Sequence, residues 1–387
     1  MTLALSEEQA LLRSTAAEFV DREVVPHRTR WDREELVDRS IVARLGELGF
    51  LGLTLPEEYG GTPVDHRSYC LVMEELGRGD SAVRGIVSVS LGLVGTTIAA
   101  YGDDEQRKDW LPGIASGGRL ACFGLTEPDT GSDAGSLTTR AVRDGDDWLL
   151  TGEKVFITNG TWADVALVFA RTGGPGPRGI TAFLVPTGSA RFEAREIKGK
   201  LGLRGQATAS LHLDGVRVSD RHRLGDEGAG FRLAMSALDK GRMSIAAGCV
   251  GIARGCLEAA TAYAGQRTQF GKPIGGHQLV QELLADTAVD VDAGRMLTWL
   301  AADLLDRGDR VSRGEIGIAA SKAKLFASEA AVRAANNCLQ VFGGYGYVDE
   351  YPVGKYLRDA RVMTLYEGTS QIQKLIIGRS LTGISAF

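Results

Sequence analysis

A chain of 387 residues, 44% hydrophobic and 24% charged, is long enough for two or three domains and ordinary for a soluble globular protein. Its formal net charge of −5 and pI near 5.7 exclude bulk nucleic-acid binding, which needs a net basic face, but leave room for a groove around one phosphorylated ligand. Five cysteines (Cys70, Cys122, Cys249, Cys256, Cys338) at irregular spacings, without a Cys-x-x-Cys pair, read as buried thiols in a reducing cytoplasm.

In chain order, the opening Met-Thr-Leu-Ala-Leu-Ser-Glu-Glu lacks the basic and apolar regions of a secretory leader. Ser6 with Gln9 is a capping-box pattern, and Leu12, Ala16, Phe19 and Val20 then share one helical face until Pro26. Further helical patterns cover residues 41–48, 69–76 and 85–100, with Gly60-Gly61-Thr62-Pro63 dividing the first two. Residues 85–102 carry no charge. That run is long enough to test as a membrane span, but its Ser, Gly and Thr content favours a helix buried in protein.

The texture changes near Leu120. Asp144-Gly145 separates two short β-like runs in a hairpin pattern, and β-rich segments follow at 155–158, 165–170, 180–185 and 211–218. Strands of this length with Gly/Pro-rich connections predict a small β-barrel or sandwich. After Gly228 the chain is Ala-rich and helix-periodic over 231–266, 279–306, 313–342 and 372–380, as in an antiparallel bundle. The expected organisation is an all-helical domain over 1–119, a β-barrel domain over 120–228 and a helical bundle over 229–387. Without βαβ alternation, a doubly wound nucleotide fold is excluded.

Two familiar sites fail on spacing. Gly265-Gln-Arg-Thr-Gln-Phe-Gly271-Lys272 has one residue too many between its glycines for a phosphate loop, and Pro273 replaces the magnesium-binding hydroxyl. No histidine has the Glu three residues before it that a di-iron bundle wants, and no metal is expected.

Other residues carry chemistry that fits together. Tyr366-Glu367-Gly368-Thr369-Ser370-Gln371 offers one carboxylate on a Gly-flanked turn among hydroxyl and amide donors. Thr126 and Ser132, on Gly/Pro-broken loops, suit either a polar heterocycle or plain turn chemistry. Arg267 and the Gly343-Gly344 pair suit a pyrophosphate: Arg offers a fork of donors, and paired glycines let backbone approach anionic oxygens. Read alone, they are a solvated Arg and a helix-ending Gly pair. Asp239 and Arg242, at i and i+3, can form an ion pair, bind a ligand, or both. Arg84 heads the uncharged 85–102 run. It could cap a helix, pair with Asp80 on the surface, or meet an anionic ligand.

Eight motifs stand in a recognisable order: Thr126-Glu127-Pro128-x-x-Gly131-Ser132-Asp133, Phe156-Ile157-Thr158-Asn159-Gly160, Lys200-Leu-Gly-Leu-Arg204-Gly205, Asp239-Lys-Gly-Arg242, Arg267-x-Gln269-Phe270-Gly271-x-Pro273, Gln340-Val-Phe-Gly343-Gly344, Arg358-Asp359-Ala360-Arg361 and the Tyr366–Gln371 hexapeptide. Together they resemble the acyl-CoA dehydrogenase family over essentially the whole chain. The resemblance implies a helical domain, a middle β-barrel and a C-terminal four-helix bundle. It also implies FAD as cofactor, contacted by Phe123, Leu125, Thr126, Gly131, Ser132, Phe156, Ile157, Thr158, Thr369 and Gln371. Arg267, Phe270, Gln278, Gln340, Gly343 and Gly344 would clasp the FAD of a neighbouring subunit, which implies a homo-oligomer, a dimer of dimers. The family commonly has Trp where this chain has Phe156, so an indole donor is lost.

By the same resemblance Glu367 is the base that removes the α-proton of an acyl-CoA thioester, with the β-hydride passing to the flavin. Some relatives carry the base immediately before the Arg of the Asp-x-x-Arg segment, but here that residue is Gly241. Substrate contacts are implied for Arg84, Ser88, Ser132, Asp239, Arg242, Tyr366 and Gly368. The stretch around Arg84, and the C-terminal Gly383-Ile-Ser-Ala-Phe387, resemble glutaryl-CoA dehydrogenases, where this Arg pairs with the distal carboxylate. Asp239–Arg242 and much of the bundle are closer to short-chain acyl-CoA dehydrogenases. The expected substrate is a short acyl-CoA, a glutaryl- or succinyl-type ester if Arg84 meets a carboxylate, with or without decarboxylation. Two alternatives are a carrier-protein thioester as substrate and a non-catalytic CoA-ester-binding scaffold. With no second redox centre legible, an electron-transfer flavoprotein is the expected electron acceptor.

Overall fold

The computed structural model describes residues 4–386. Met1–Leu3, the head of the segment read as lacking a leader, and Phe387, the end of the glutaryl-type C-terminal stretch, lie outside the described residues.

Helix α1 (Glu7–Phe19) starts with the expected capping box: Ser6 Oγ accepts from the Gln9 backbone, and the Gln9 side chain accepts from the Ser6 N–H. A π-helical turn, Val20–Val24, carries it to Pro26. Helices α2 (Arg28–Glu34), α3 (Ile41–Glu47) and α4 (His66–Gly79) follow. The uncharged run is one buried rod made of α5 (Ser81–Val87), a π-helical stretch Ser88–Gly95 and α6 (Thr96–Tyr101). Thr96 and Thr97 donate to the Gly92 and Leu93 carbonyls, satisfying acceptors in or beside the π segment. As expected, this helix is enclosed by protein. Helix α7 (Asp104–Ala115) closes the domain.

Eight strands form the middle sheet: β1 (Ala121–Gly124), β2 (Arg140–Asp144), β3 (Asp147–Thr158), β4 (Val165–Arg171), β5 (Ile180–Pro186), β6 (Phe192–Glu196), β7 (Thr208–Ser219) and β8 (Arg223–Leu224). The path runs β6-β7-β3-β2-β4-β5-β8, with β1 added beside β4. It wraps a small core of its own, including Trp148, Leu150, Val168, Phe183, Leu211 and Val216. The expected hairpin is the β2–β3 pair. Strand β3 joins two segments read as separate, because an irregularity between Lys154 and Ile157 absorbs one extra residue without ending the pairing to β7.

The C-terminal bundle consists of α8 (Gly230–Gln266), α9 (Gln278–Asp306), α10 (Arg313–Phe342), α11 (Val353–Met363) and α12 (Ser370–Thr382). Between α8 and α9, β9 (Thr268–Gln269) and β10 (Lys272–Pro273) make a hairpin whose two turn residues, Phe270 and Gly271, both have positive φ. Small residues let the long helices approach closely. A Cβ on Gly77 of α4 would strike the Gly248 backbone of α8. All five cysteines are buried and unpaired.

Candidate active site

The turn from α11 to α12 carries Glu367. Glu367 has φ 51° and Gly368 φ 91°, two consecutive left-handed residues, the first without glycine's freedom. Around them, Ser370 N donates to the Thr364 carbonyl at 2.9 Å, and Thr369 Oγ1 caps α12 by accepting from Ile372 N at 3.2 Å. The Gln373 amide donates back to the Glu367 and Gly368 carbonyls at 3.3 and 3.0 Å. Lys324 Nζ, from α10, donates to the same Gly368 carbonyl at 2.8 Å.

The Glu367 carboxylate turns inward against Gly241 of α8. Its Oε2 has no solvent contact and no hydrogen-bond partner. Burial raises its pKa, and Arg84, Lys324 and Arg242 pull it partly back, leaving it at about 7. Gly241 of α8 lies directly opposite: a Cβ there would collide with Glu367 Oε2. Gly241, read as unable to serve as a base itself, thus makes room for the Glu367 carboxylate.

Arg84 is 1% exposed, so a surface position is ruled out. Asp80 accepts from Ala82 N at 2.7 Å and pairs with Lys355 at 3.2 Å, while Arg84 Nη2 donates to Tyr366 Oη at 2.8 Å. Arg84 Nε and Nη1 are buried without an acceptor. Nearby, Ser88 Oγ and Tyr69 Oη each lie 3.0 Å from Ser244 Oγ, a chain of three buried hydroxyls. Asp239 and Arg242 form the expected ion pair at 2.7 Å, with Arg242 Nε left unpaired.

The loop bearing Thr126, Gly131 and Ser132 hangs from a buried ion pair that sequence reasoning missed. Glu127 accepts from Thr138 N, Thr138 Oγ1, Thr139 N and, at 2.8 Å, from Lys154 Nζ. Lys154 also donates to the Leu125 carbonyl. Burial works against ionisation of Glu127, but Lys154 and the hydroxyl and backbone donors hold its carboxyl at about 2. Beside this loop Phe123 packs on Phe169 at 5.0 Å. Phe156, at the β3 irregularity with φ 60°, is 67% exposed. Thr158 Oγ1 donates to Gln206, whereas Ile157 packs into the sheet core, so its side chain is not part of the exposed face.

A second cluster lies apart from the first. Arg267, Gly343 and Gly344 line a cavity of about 520 Å³ with Tyr263, Phe342 and Tyr345, and the Arg267 guanidinium sits over the Tyr345 ring. Phe270, 93% exposed, forms the hairpin tip. Gln278, Gln340 and Gln371 are exposed, and neither Gln278 nor Gln340 lines that cavity. From Lys324 to Gly343, α10 separates the two clusters by roughly 28 Å of helix.

Comparison with known proteins decides the family. The N-terminal, middle and C-terminal domain families of acyl-CoA dehydrogenases match residues 6–118, 122–216 and 228–382. The chain belongs to the acyl-CoA dehydrogenase family. It is 42% identical over 380 residues to an acyl-CoA dehydrogenase of Bacillus subtilis (strain 168), covering 98% of this chain and 99% of that one. It is 39% identical to the mitochondrial short-chain specific acyl-CoA dehydrogenase of Rattus norvegicus, covering 98% and 91%. A glutaryl-CoA dehydrogenase from Mycobacterium smegmatis in complex with FADH2 superposes with a TM-score of 0.93 at 38% identity, covering 99% of this chain and 96% of that one.

The dehydrogenase is therefore an FAD-dependent oxidoreductase, and its residues fit that cofactor. A Cβ on Gly131 or Gly344 would meet nothing within 4 Å in the chain, whereas Gly343, at φ 58°, ends α10 in a conformation that itself favours glycine. Packing inside the chain does not require Gly131 or Gly344, so their bare backbone is free to approach a bound group.

Proposed function

We propose that the dehydrogenase oxidises a short acyl-CoA thioester with Glu367 as the α-proton base, and that Arg84 favours a dicarboxylyl acyl group of glutaryl or succinyl type. The observation that carries this reading is the Glu367 carboxylate, whose Oε2 is buried without a hydrogen-bond partner and whose pKa is raised to about 7. A thioester α-proton is weakly acidic, and a carboxylate in water is too weak a base for it. Burial brings the base close to working pH and excludes competing water. Among the described residues no acceptor takes the Glu367 N–H, which leaves it available to the developing enolate oxygen. When bound, FAD supplies the acceptor for the β-hydride.

Arg84 supports the substrate class. Two of its guanidinium nitrogens are buried without an acceptor, and a buried cation left so is costly unless an anion completes it. Either nitrogen can donate to a carboxylate oxygen, and the Nη2 N–H not used by Tyr366 supplies the second bond of a bidentate pair. Asp239 and Arg242 form the proposed thioester-side contact. The roughly 28 Å of α10 between the clusters supports giving Arg267, Gly343 and Gly344, with Phe270, Gln278 and Gln340, to the FAD of a neighbouring subunit in a dimer of dimers. An electron-transfer flavoprotein is the proposed electron acceptor.

The test is anaerobic flavin bleaching by butyryl-, isobutyryl-, isovaleryl-, glutaryl- and succinyl-CoA. Glutaryl- or succinyl-CoA should bleach about tenfold or more faster than butyryl-CoA, and Arg84→Ala should erase the difference. Equal rates on butyryl- and glutaryl-CoA, untouched by Arg84→Ala, would exclude the dicarboxylate.

A further inference from the structure

Helix α10 buries a stripe of small residues, Ala320, Ala323, Ala327 and Ala331, at the spacing of one helical face. Lys324 lies on that stripe and is 0% exposed. A lysine of this depth is costly, and burial lowers its pKa to about 8 against the pull of Cys249 and Glu367. Packing alone would be better served by an apolar side chain of similar size. Its hydrogen bond goes to the Gly368 carbonyl at 2.8 Å, the carbonyl that also accepts from Gln373 at 3.0 Å. Two helices thus donate to one carbonyl, in the middle of a turn whose left-handed Glu367 persists only where its surroundings over-determine it.

We propose that Lys324 is a positioning residue for the base: by donating from α10 to the Gly368 carbonyl it fixes the turn that aims Glu367 at Gly241, and it sets a cation beside the carboxylate. This rests on the reading of Glu367 as base. The groups facing Glu367 are Arg84 from α5, Arg242 from α8, Tyr69 from α4, Tyr366 from its own turn and Lys324 from α10. Lys324 in turn faces Cys249 and Arg242 from α8, Glu329 from its own helix, and Glu367. The cation holds the Glu367 pKa down, so its removal raises that pKa, and less of the base is ionised at neutral pH. A rise of about one unit cuts the ionised fraction at neutral pH from about a half to about a tenth.

The experiment compares Lys324→Met, Lys324→Gln and Lys324→Arg with the parent holoenzyme, reading the pH profiles of kcat and kcat/KM, FAD content and thermal stability. In Lys324→Met, kcat at neutral pH should fall about tenfold or more with KM changed less than about threefold, and the acid limb should move up by about a unit. Lys324→Gln, a neutral donor, should recover much of the high-pH plateau yet keep the shifted limb, and Lys324→Arg should keep the limb near the parent's. If Lys324→Met does not fold, the Gln and Arg variants carry the same comparison. An unshifted limb in Lys324→Gln, or in a folded Lys324→Met, overturns the proposal. Glu367→Gln run in parallel separates the two ideas: turnover there would overturn the base itself, whereas a dead Glu367→Gln with an unshifted lysine variant overturns the role of Lys324 alone.

Discussion

Gly241→Ala is the smallest change that reaches the base without altering it. Gly241 lies inside α8, where Ala is the better helix former by about 1 kcal/mol. With free space at the site, the substitution would stabilise the protein. There is none: the added methyl meets Glu367 Oε2 and Leu93 Cδ2. Ordinary contact distances then require the carboxylate to retreat by about 1 Å or more. A misplacement of that size costs about a hundredfold in rate, or about 2.7 kcal/mol of barrier, while the overpacking costs about 1–3 kcal/mol of stability. The assay is kcat on the best thioester of the panel, with FAD content and the melting temperature measured on the same preparation. We expect full FAD content, a lower melting temperature and kcat down about a hundredfold. A raised melting temperature with kcat within about twofold of the parent would mean that the carboxylate does not rest against Gly241.

Lys324 apart, two further results follow from the buried charges. Lys154→Met leaves Glu127 without its cation inside the protein, which should cost about 3–5 kcal/mol and loosen the loop from Leu125 to Thr139, read out as a lower melting temperature and weaker FAD retention. Wild-type stability in that variant would show that the backbone and hydroxyl donors suffice for Glu127. The proposed base must be ionised to act, so kcat/KM should be low on the acid side, rise with pH through about 7 and level off above it. A profile flat across the interval from about pH 6 to 8 would contradict the raised pKa.

Much of this site was legible because its chemistry sits in short motifs. Glu367, Arg84 and the Asp239–Arg242 pair stand out in local sequence, whereas Tyr366 gains a role only through the family resemblance; the fold sets Arg84 against Tyr366 and beside Glu367. The capping box at Ser6 and the long Ala-rich helices were legible for a related reason, since caps and helical periodicity are local properties. What escaped depended on distance. Glu127 and Lys154 lie on different segments and become a pair only when the loop folds back on β3. The π-helical stretch Ser88–Gly95 has no composition of its own. Short strands such as β1 and β6 take their stability from neighbours rather than from intrinsic propensity. Lys324 looked like its neighbour Lys322, yet a signal existed: Lys324 falls on the buried alanine stripe, whereas Lys322 is exposed. Arg84 shows the opposite limit. Its charge was legible, but only the packing around α5 separates a buried cation with unpaired donors from a surface partner of Asp80.

The central assignment is tested most directly by Glu367→Gln, which keeps the size and polarity of the side chain but removes the base. We expect the variant to fold, hold FAD and bind product-like enoyl thioesters, while anaerobic flavin reduction by the best acyl-CoA falls by about a hundredfold to ten-thousandfold. Flavin reduction within about tenfold of the parent rate would contradict Glu367 as the α-proton base.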